Sequence, residues 1–319
     1  MKRFFFLAVA LCCSPAWGQA DYPNKPIRLV VSFAAGGISD VLARALAIPL
    51  SRQLGQQVIV ENKPGAGTTI AGDFIARSAP DGYTIWLQDI TTHAINVALY
   101  SKLPYDSMKD FTYIAMVAST PLMLVVHPST QAASVRELIA LLKAGPGKYS
   151  YGSSGNGTIV HLSAEMLKSA AGVDVLHVPY KGSNPATAAI LAGEVTFVFS
   201  TMPPAISNAR AGKLRALGVT TAKRVGAAPE IPTMIEAGLA DFEIVLYSGI
   251  LGPKGMDRAL ANRINAEFAR VVQAPEIVNV YEKIGAEPLA MAPGEFERRT
   301  AAEIAKLGPV VKASGAKVD

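Results

Sequence analysis

Cysteine is almost absent: the 319 residues contain two, Cys12 and Cys13, both at the extreme N-terminus. If that segment is an export leader, the mature chain has no disulfide, no thiol nucleophile and no cysteine-ligated metal, even in an oxidising compartment. Charge is sparse as well, with 17% charged residues and 30 Lys+Arg against 25 Asp+Glu for a formal net charge of +5. The densest basic clusters are pairs such as Lys223-Arg224 and Arg298-Arg299. A nucleic-acid-binding chain gathers its basic residues into a stripe, so nucleic acid is excluded as a partner. Long apolar runs are missing too. The stretch Phe4 to Cys13 is shorter than the roughly 20 residues needed to cross a bilayer, and no later stretch reaches that length without a charge.

What is present is globular composition, half of it hydrophobic, with 27 Gly and 21 Pro. The length suggests two domains, each able to bury its own core. Residues 1–20 read as a secretory signal: Lys2-Arg3 open it, the apolar run follows, and Ser14 to Ala20 form a small-residue exit cleaved near Ala20. A cut after Gly18 fits nearly as well. Losing Lys2 and Arg3, with no acid among residues 1–20, lowers the formal charge from +5 to +3. The expected location is the periplasm.

Beyond the leader, β-branched runs alternate with amphipathic segments. Ile27 to Phe33 reads as a buried strand, and Ser39 or Asp40 is placed to cap a helix carrying Leu42, Leu46 and Leu50, which Pro49 should kink or end early. Gln57–Glu61 and Tyr83–Leu87 supply further strands, and a parallel α/β sheet is the natural arrangement. The pattern repeats with strand Leu122–His127, a helix opened by the capping pattern Ser134-Val135-Arg136-Glu137 and closed by Gly145-Pro146, strand Lys148–Tyr151, and a helix from about Thr158. His177–Tyr180, Val195–Phe199 and Leu214–Thr220 are further strands, and the tail supplies three helices, Asp257–Val272, Glu276–Ile284 and Gly294–Leu307. No internal repeat or low-complexity linker marks a domain boundary.

Two loops that leave strands and open helices stand out, Ala34–Asp40 and Tyr151–Thr158. A helix N-terminus offers unpaired N–H groups and a partial positive charge, and glycine lets an anion approach the backbone. Each loop is a candidate oxyanion cradle, and Ser153, Ser154 and Thr158 add hydroxyl donors to the second. Other motifs fall short. Gly65-Ala66-Gly67-Thr68-Thr69-Ile70 lacks the third glycine of a dinucleotide fingerprint, and there is no Walker A sequence. Gly152–Asn156 approaches a nucleophile elbow but ends in Asn, and no histidine has an evident acid partner for a triad. His161 and Glu165 share a helix face without a third metal ligand, so His161 reads as a helix-capping or core-edge residue and no metal or other cofactor is expected.

Six ordered motifs identify a family. Tyr22–Val31, Val60–Gly67, Ala79–Thr84, Tyr151–Gly155, His177–Gly182 and Pro232–Gly238 together resemble the Bug family, the extracytoplasmic solute-binding receptors of tripartite tricarboxylate transporters. The resemblance runs along the whole mature chain. It implies a two-domain α/β periplasmic-binding-protein fold (type II-like), with crossing strands between domains and a small carboxylate ligand in the cleft between lobes. It implies no enzymatic activity. The alternative of a hydrolase built on Ser153 or Ser154 lacks a base.

The two candidate loops are those such receptors use, so the expected ligand-binding residues are Ala35, Gly36, Gly37, Ser39, Asp40, Gln88, Ser153, Ser154, Gly155, Thr158 and Ser200. The chain departs from the family where Ala34 and Ala35 replace prolines, and where Thr196 and Ser200 occupy positions that commonly carry acids. With Ser200 in place of an acid, a carboxylate ligand without an ammonium group is expected. No Arg stands in either loop, so recognition rests on neutral donors and helix dipoles unless Lys181 swings in. Expected domains are 21–125 with 221–319, and 126–220, with Leu122–His127 and Leu214–Thr220 as paired hinge strands crossing between them. The expected partners of this monomer are one large and one small membrane transporter subunit, or a sensor protein; the sequence supports both.

Overall fold

The computed structural model describes residues 22–316 and 318, so the expected signal segment and its cleavage point lie outside the described residues. The chain begins β1 (Ile27–Val31), α1 (Ile38–Leu54), β2 (Val58–Asn62), α2 (Thr69–Ala76), β3 (Thr84–Asp89), α3 (Ile90–Leu99) and β4 (Phe111–Thr120). It continues through β5 (Leu122–Val126), α4 (Val135–Ala144), β6 (Ser150–Ser153), α5 (Ile159–Ala171), β7 (Leu176–Pro179), α6 (Ser183–Leu191), β8 (Phe197–Thr201), α7 (Met202–Arg210) and β9 (Arg215–Val219). Last come β10 (Leu246–Pro253), α8 (Arg258–Val272), α9 (Pro275–Lys283), β11 (Glu287–Met291) and α10 (Pro293–Ser314).

These strands make two sheets, ordered β11-β4-β10-β3-β1-β2 and β7-β6-β8-β5-β9. Consecutive apolar residues bury both faces of the first: Leu29 and Val31 join one core cluster while Val30 and Trp86 join another. Neither sheet is purely parallel, contrary to expectation. β1 runs parallel to β2 and β3, but β10 is antiparallel to β3 and β4. In the second sheet β6 is parallel to β7 and β8 while β5 is antiparallel to β8 and β9. The chain leaves the first sheet and later returns to it, and the strands at the crossings run against their neighbours.

The strand pairings mark where the chain changes sheet. Leu122–Val126 pairs wholly within the second sheet, antiparallel to β8 and β9, so the chain leaves the first sheet at Pro121. It rejoins that sheet at Leu246. Residues 221–245 stay against the second lobe, where Thr233 bridges Val219 and Phe242 stacks on Phe199 at 5.7 Å.

Local chemistry places the helix starts. Ser134 Oγ accepts the Glu137 N–H as the capping pattern predicts, while the Glu137 carboxylate reaches back to the Ala133 N–H. Thr158 caps α5 through the His161 N–H. In α1 the cap is Gly37 and not Ser39 or Asp40, and the helix continues through Pro49 to Leu54. Proline there removes one backbone hydrogen bond at a cost of about 3 kcal/mol. Leu42, Leu46 and Leu50 are all buried, at about 1.5–3 kcal/mol each, and that outweighs the loss.

Candidate functional site

Ligands of open α/β sheets sit beyond the carboxyl ends of the strands, and here five strand-to-helix junctions converge on one narrow cavity between the lobes. Its wall contains Gly37, Ile38 and Ser39 from the start of α1, Asp89 at the start of α3, Ser154, Ile159 and Val160 around the start of α5, Ser183 opening α6 and Thr201 before α7. Each helix N-terminus carries unpaired N–H groups and about half a positive charge. Asp89 and Thr158 cap α3 and α5, whereas α1, α6 and α7 have no side-chain cap. The first-turn N–H groups of Ile38, Ser39 and Asp40 in α1 and of Ser183 and Asn184 in α6, one helix from each lobe, therefore remain for a bound anion, while α7, opening Met202-Pro203-Pro204, adds the Met202 N–H because proline has none. Among the described residues no Lys, Arg or His lines this cavity.

Two hydroxyls complete the donor set. Ser39 Oγ and Thr201 Oγ1 are buried, make no hydrogen bond among the described residues, and belong to residues on opposite lobes that line the cavity. Buried hydroxyls are normally paired, so two orphans in one cavity mark it as a place where polar contacts are made with something else.

Of the expected residues, Gly37, Ser39 and Ser154 line the cavity, and Ser154 with Gly155 also lines an adjoining wider opening that includes Tyr100, Tyr180 and Lys181. The others line neither of these openings. Ala35 is exposed, and its carbonyl accepts from Asn184 Nδ2 across the lobes at 3.4 Å. Asp40 accepts from the Gly36 N–H, Arg44 and Asn62 Nδ2. Burial alone would raise its pKa, but those hydrogen bonds outweigh burial and hold the carboxyl below its usual range. Asp40 thus secures the first loop without lining the cavity. Gln88 is fully buried and links Ser32, Thr68 and the Asp89 N–H. Thr158 caps α5 and donates to the Gly155 carbonyl. Ser200 turns to Thr187 at 2.8 Å, so its neighbour Thr201 is the β8 residue that lines the cavity.

Asp89 was missed by the sequence reading and changes the electrostatics. It lines the cavity, is 1% exposed, and caps α3 by accepting the Thr92 N–H and hydroxyl. Burial pushes its pKa up to about 6 against the hydrogen bonds from Thr92 and Thr91. An acid therefore does line the cavity, supplied by β3 of the first lobe and not by the β8 position that Ser200 occupies. Thr92 Oγ1 in turn accepts the Ile159 N–H at 3.0 Å, tying α3 to α5 across the cleft. Ala34 N–H to the Lys181 carbonyl, at 3.1 Å, is a second such tie.

One pairing resembles catalytic machinery. Ser153 Oγ lies 2.6 Å from His177 Nε2, a partner the sequence did not reveal. Yet Ser153 is fully buried and absent from the cavity wall, and the nearby Glu165 is engaged by Tyr151 and Lys168. A nucleophile must reach its substrate, and this serine does not.

A two-lobed α/β body with helix N-termini facing an interlobe cavity defines the class of extracytoplasmic solute-binding proteins. The profile of the tripartite tricarboxylate transporter family receptors matches residues 42–316. The chain belongs to that family, whose members are receptors and not enzymes. It is 35% identical over 315 residues to Protein BugT of Bordetella pertussis, covering 98% of this chain and 96% of that one. The fold matches R. palustris Rpa4515 with adipate at a TM-score of 0.90 and 34% identity, over 93% of this chain and 100% of that one. It also matches MatC (Rpa3494) from Rhodopseudomonas palustris with bound malate at 0.87 and 29% identity, over 91% and 100% of the chains.

Proposed function

We propose that this protein is a periplasmic receptor that captures a small carboxylate between its lobes and delivers it to the membrane subunits of a tripartite tricarboxylate-type transporter. The observation that carries the reading is the convergence of helix N-termini from both lobes on a cavity lined by no cationic side chain. Such a site holds an anion by neutral donors and dipoles. The adipate and malate held by structurally similar family members support a carboxylate as the ligand. We take residues 22–120 with 246–316 as one domain and 122–245 as the other, following sheet membership. Closure is then a hinge motion at Pro121 and near 245.

The test is calorimetry and thermal unfolding with a panel of di- and tricarboxylates, aromatic acids, amino acids and neutral analogues. A cognate acid at 100 times its dissociation constant should stabilise the protein by about 2.7 kcal/mol. Thr201→Val, which keeps the shape and removes the hydroxyl, should weaken that acid about tenfold without lowering the stability of the free protein. Binding confined to the neutral analogues would overturn the reading.

A further inference from the structure

Against the second-lobe loop, two histidines that line neither opening lie ring on ring. His161 of α5 and His177 of β7 stack with centroids 4.2 Å apart and planes 10° from parallel. Tyr151 packs on His177 at 4.8 Å and near His161 at 6.4 Å. Each histidine holds a different part of the loop. His161 Nδ1 accepts the Gly157 N–H at 3.2 Å. His177 Nε2 is 2.6 Å from Ser153 Oγ, which itself accepts the Gly155 N–H at 3.1 Å. Gly155 and Gly157 both have left-handed backbones, with φ of 127° and 77°. A loop bent this way between a strand and a helix needs its N–H groups fixed if α5 is to present its N-terminus in one place.

We propose that His161 and His177 act as paired positioning residues for ligand binding, each using an acceptor nitrogen to lock the backbone of residues 153–157 against the cleft. This deepens the receptor reading and rests on it. The hydrogen bonds set the tautomers. His161 carries its proton on Nε2, because Nδ1 receives the Gly157 N–H. Ser153 Oγ already accepts from Gly155 and has no other acceptor for its own proton than His177 Nε2. His177 therefore keeps its proton on Nδ1. Protonating either ring turns an acceptor into a donor and releases the backbone group it holds.

The surroundings favour the neutral pair. Tyr151 from β6 and Phe197 from β8 are uncharged, and the Tyr151 hydroxyl donates to Glu165. On α5 Glu165 is matched by Lys168 at 2.8 Å. Burial is the main cause that lowers His161 to about 4 and His177 to about 3; Glu165 works against it for His161, while Lys168 and the neighbouring ring add to it for His177. The lock is thus intact at neutral pH and lost as pH falls through about 4.

The experiment uses the mature protein with malate as the probe, and four single variants. His161→Phe and His177→Phe keep an aromatic ring and remove the acceptor. His161→Asn and His177→Gln restore an acceptor near Nδ1 and Nε2 that does not titrate. At pH 7 the Phe variants should bind malate at least tenfold more weakly, and the Asn and Gln variants within threefold of the parent. Between pH 5.5 and 4 the Asn and Gln variants should lose less affinity than the parent. Equal affinity in the Phe variants, or equal loss in all four, would overturn the proposal. Amide hydrogen exchange of the ligand-free protein separates this inference from the receptor reading: Gly157 should exchange at least tenfold faster in His161→Phe, and Gly155 in His177→Phe. Unchanged exchange at both amides would sink the lock, whereas failure of the parent to bind malate with the exchange pattern as expected would count against the malate reading and support the lock.

Discussion

Asp89 sits where a carboxylate ligand is expected, so its charge is the residue most able to sort ligands. At pH 7.5 it is ionised, since burial raises its pKa to about 6, and a dicarboxylate then meets a like charge in a cavity lined by no cation. Asp89→Asn should tighten dicarboxylate binding about tenfold at pH 7.5, an effect that fades below pH 5 where the parent carboxyl is protonated. Isothermal titration of malate against both proteins at the two pH values checks this. Aspartate binding that is strong in the parent and lost in the variant would instead assign the carboxylate to a ligand ammonium. Sequence reading did not find Asp89 because a strand passes directly into a helix there, with no glycine loop to draw attention. The only local signal is an N-cap acid before Ile90-Thr91-Thr92. Ser200 entered through the family resemblance, as a position that commonly carries an acid, and resemblance does not say whether its side chain faces the cleft; here it bonds Thr187 and Thr201 lines the cavity.

At the scale of elements, the first loop was legible as a helix-opening turn, and its steric limit lies at Gly36 and not at Gly37. Gly37 has φ −80°, and a Cβ there would lie 4.0 Å from the nearest atom, the Ala34 carbonyl oxygen. Gly36 has φ +88°, and its Cβ would stand 2.7 Å from Asn184 Nδ2 of the opposite lobe. Gly36→Ala should therefore cost about 1–2 kcal/mol in backbone strain and also obstruct the approach of α6 to α1. We expect weaker ligand affinity and a reduced ligand-induced contraction in small-angle scattering for Gly36→Ala, with Gly37→Ala folding as the parent does. A Gly37→Ala protein less stable than Gly36→Ala would contradict this geometry. Several elements escaped the sequence: α3 was not read as a helix, and β10 was not read as a strand because Gly249 and Gly252 interrupt it. Their close packing explains the tolerance, since a Cβ at Gly249 would press on Phe296 at 2.4 Å.

For the whole molecule, buried histidines set the response to acid. His93, His161 and His177 are lowered to about 4, 4 and 3 from 6.5, chiefly by burial. Their folded values lie below the unfolded one, so the unfolded chain binds protons first, and stability is lost as pH falls from about 6.5 toward 4. Asp89 has the opposite sign: its folded value of about 6 exceeds the model-peptide 3.8, so acidification between 6 and 4 returns stability. Three groups against one leave a net loss. The melting temperature should fall between pH 7 and pH 4.5, and fall more steeply in Asp89→Asn, which lacks the compensating titration. A melting temperature higher at pH 4.5 would refute this.

The sequence by itself determined the features that arise from neighbours along the chain. Ser134 and Thr158 announce helix starts because capping is a contact over three residues, and the glycine loops announce themselves because left-handed backbone favours glycine. The six motifs carried the family. Tertiary structure alone decided what depends on distant segments meeting. His177 reaches Ser153 because β6 and β7 pair in parallel with Tyr151 opposite His177, a register that no spacing announces. β5 joins the second sheet because it finds its hydrogen-bond partners in β8 and β9. Asp89, Ser183 and Thr201 became cavity residues only when five helix N-termini were brought to one place. A sequence records which groups can donate or accept, and the fold decides which of them are left facing the ligand.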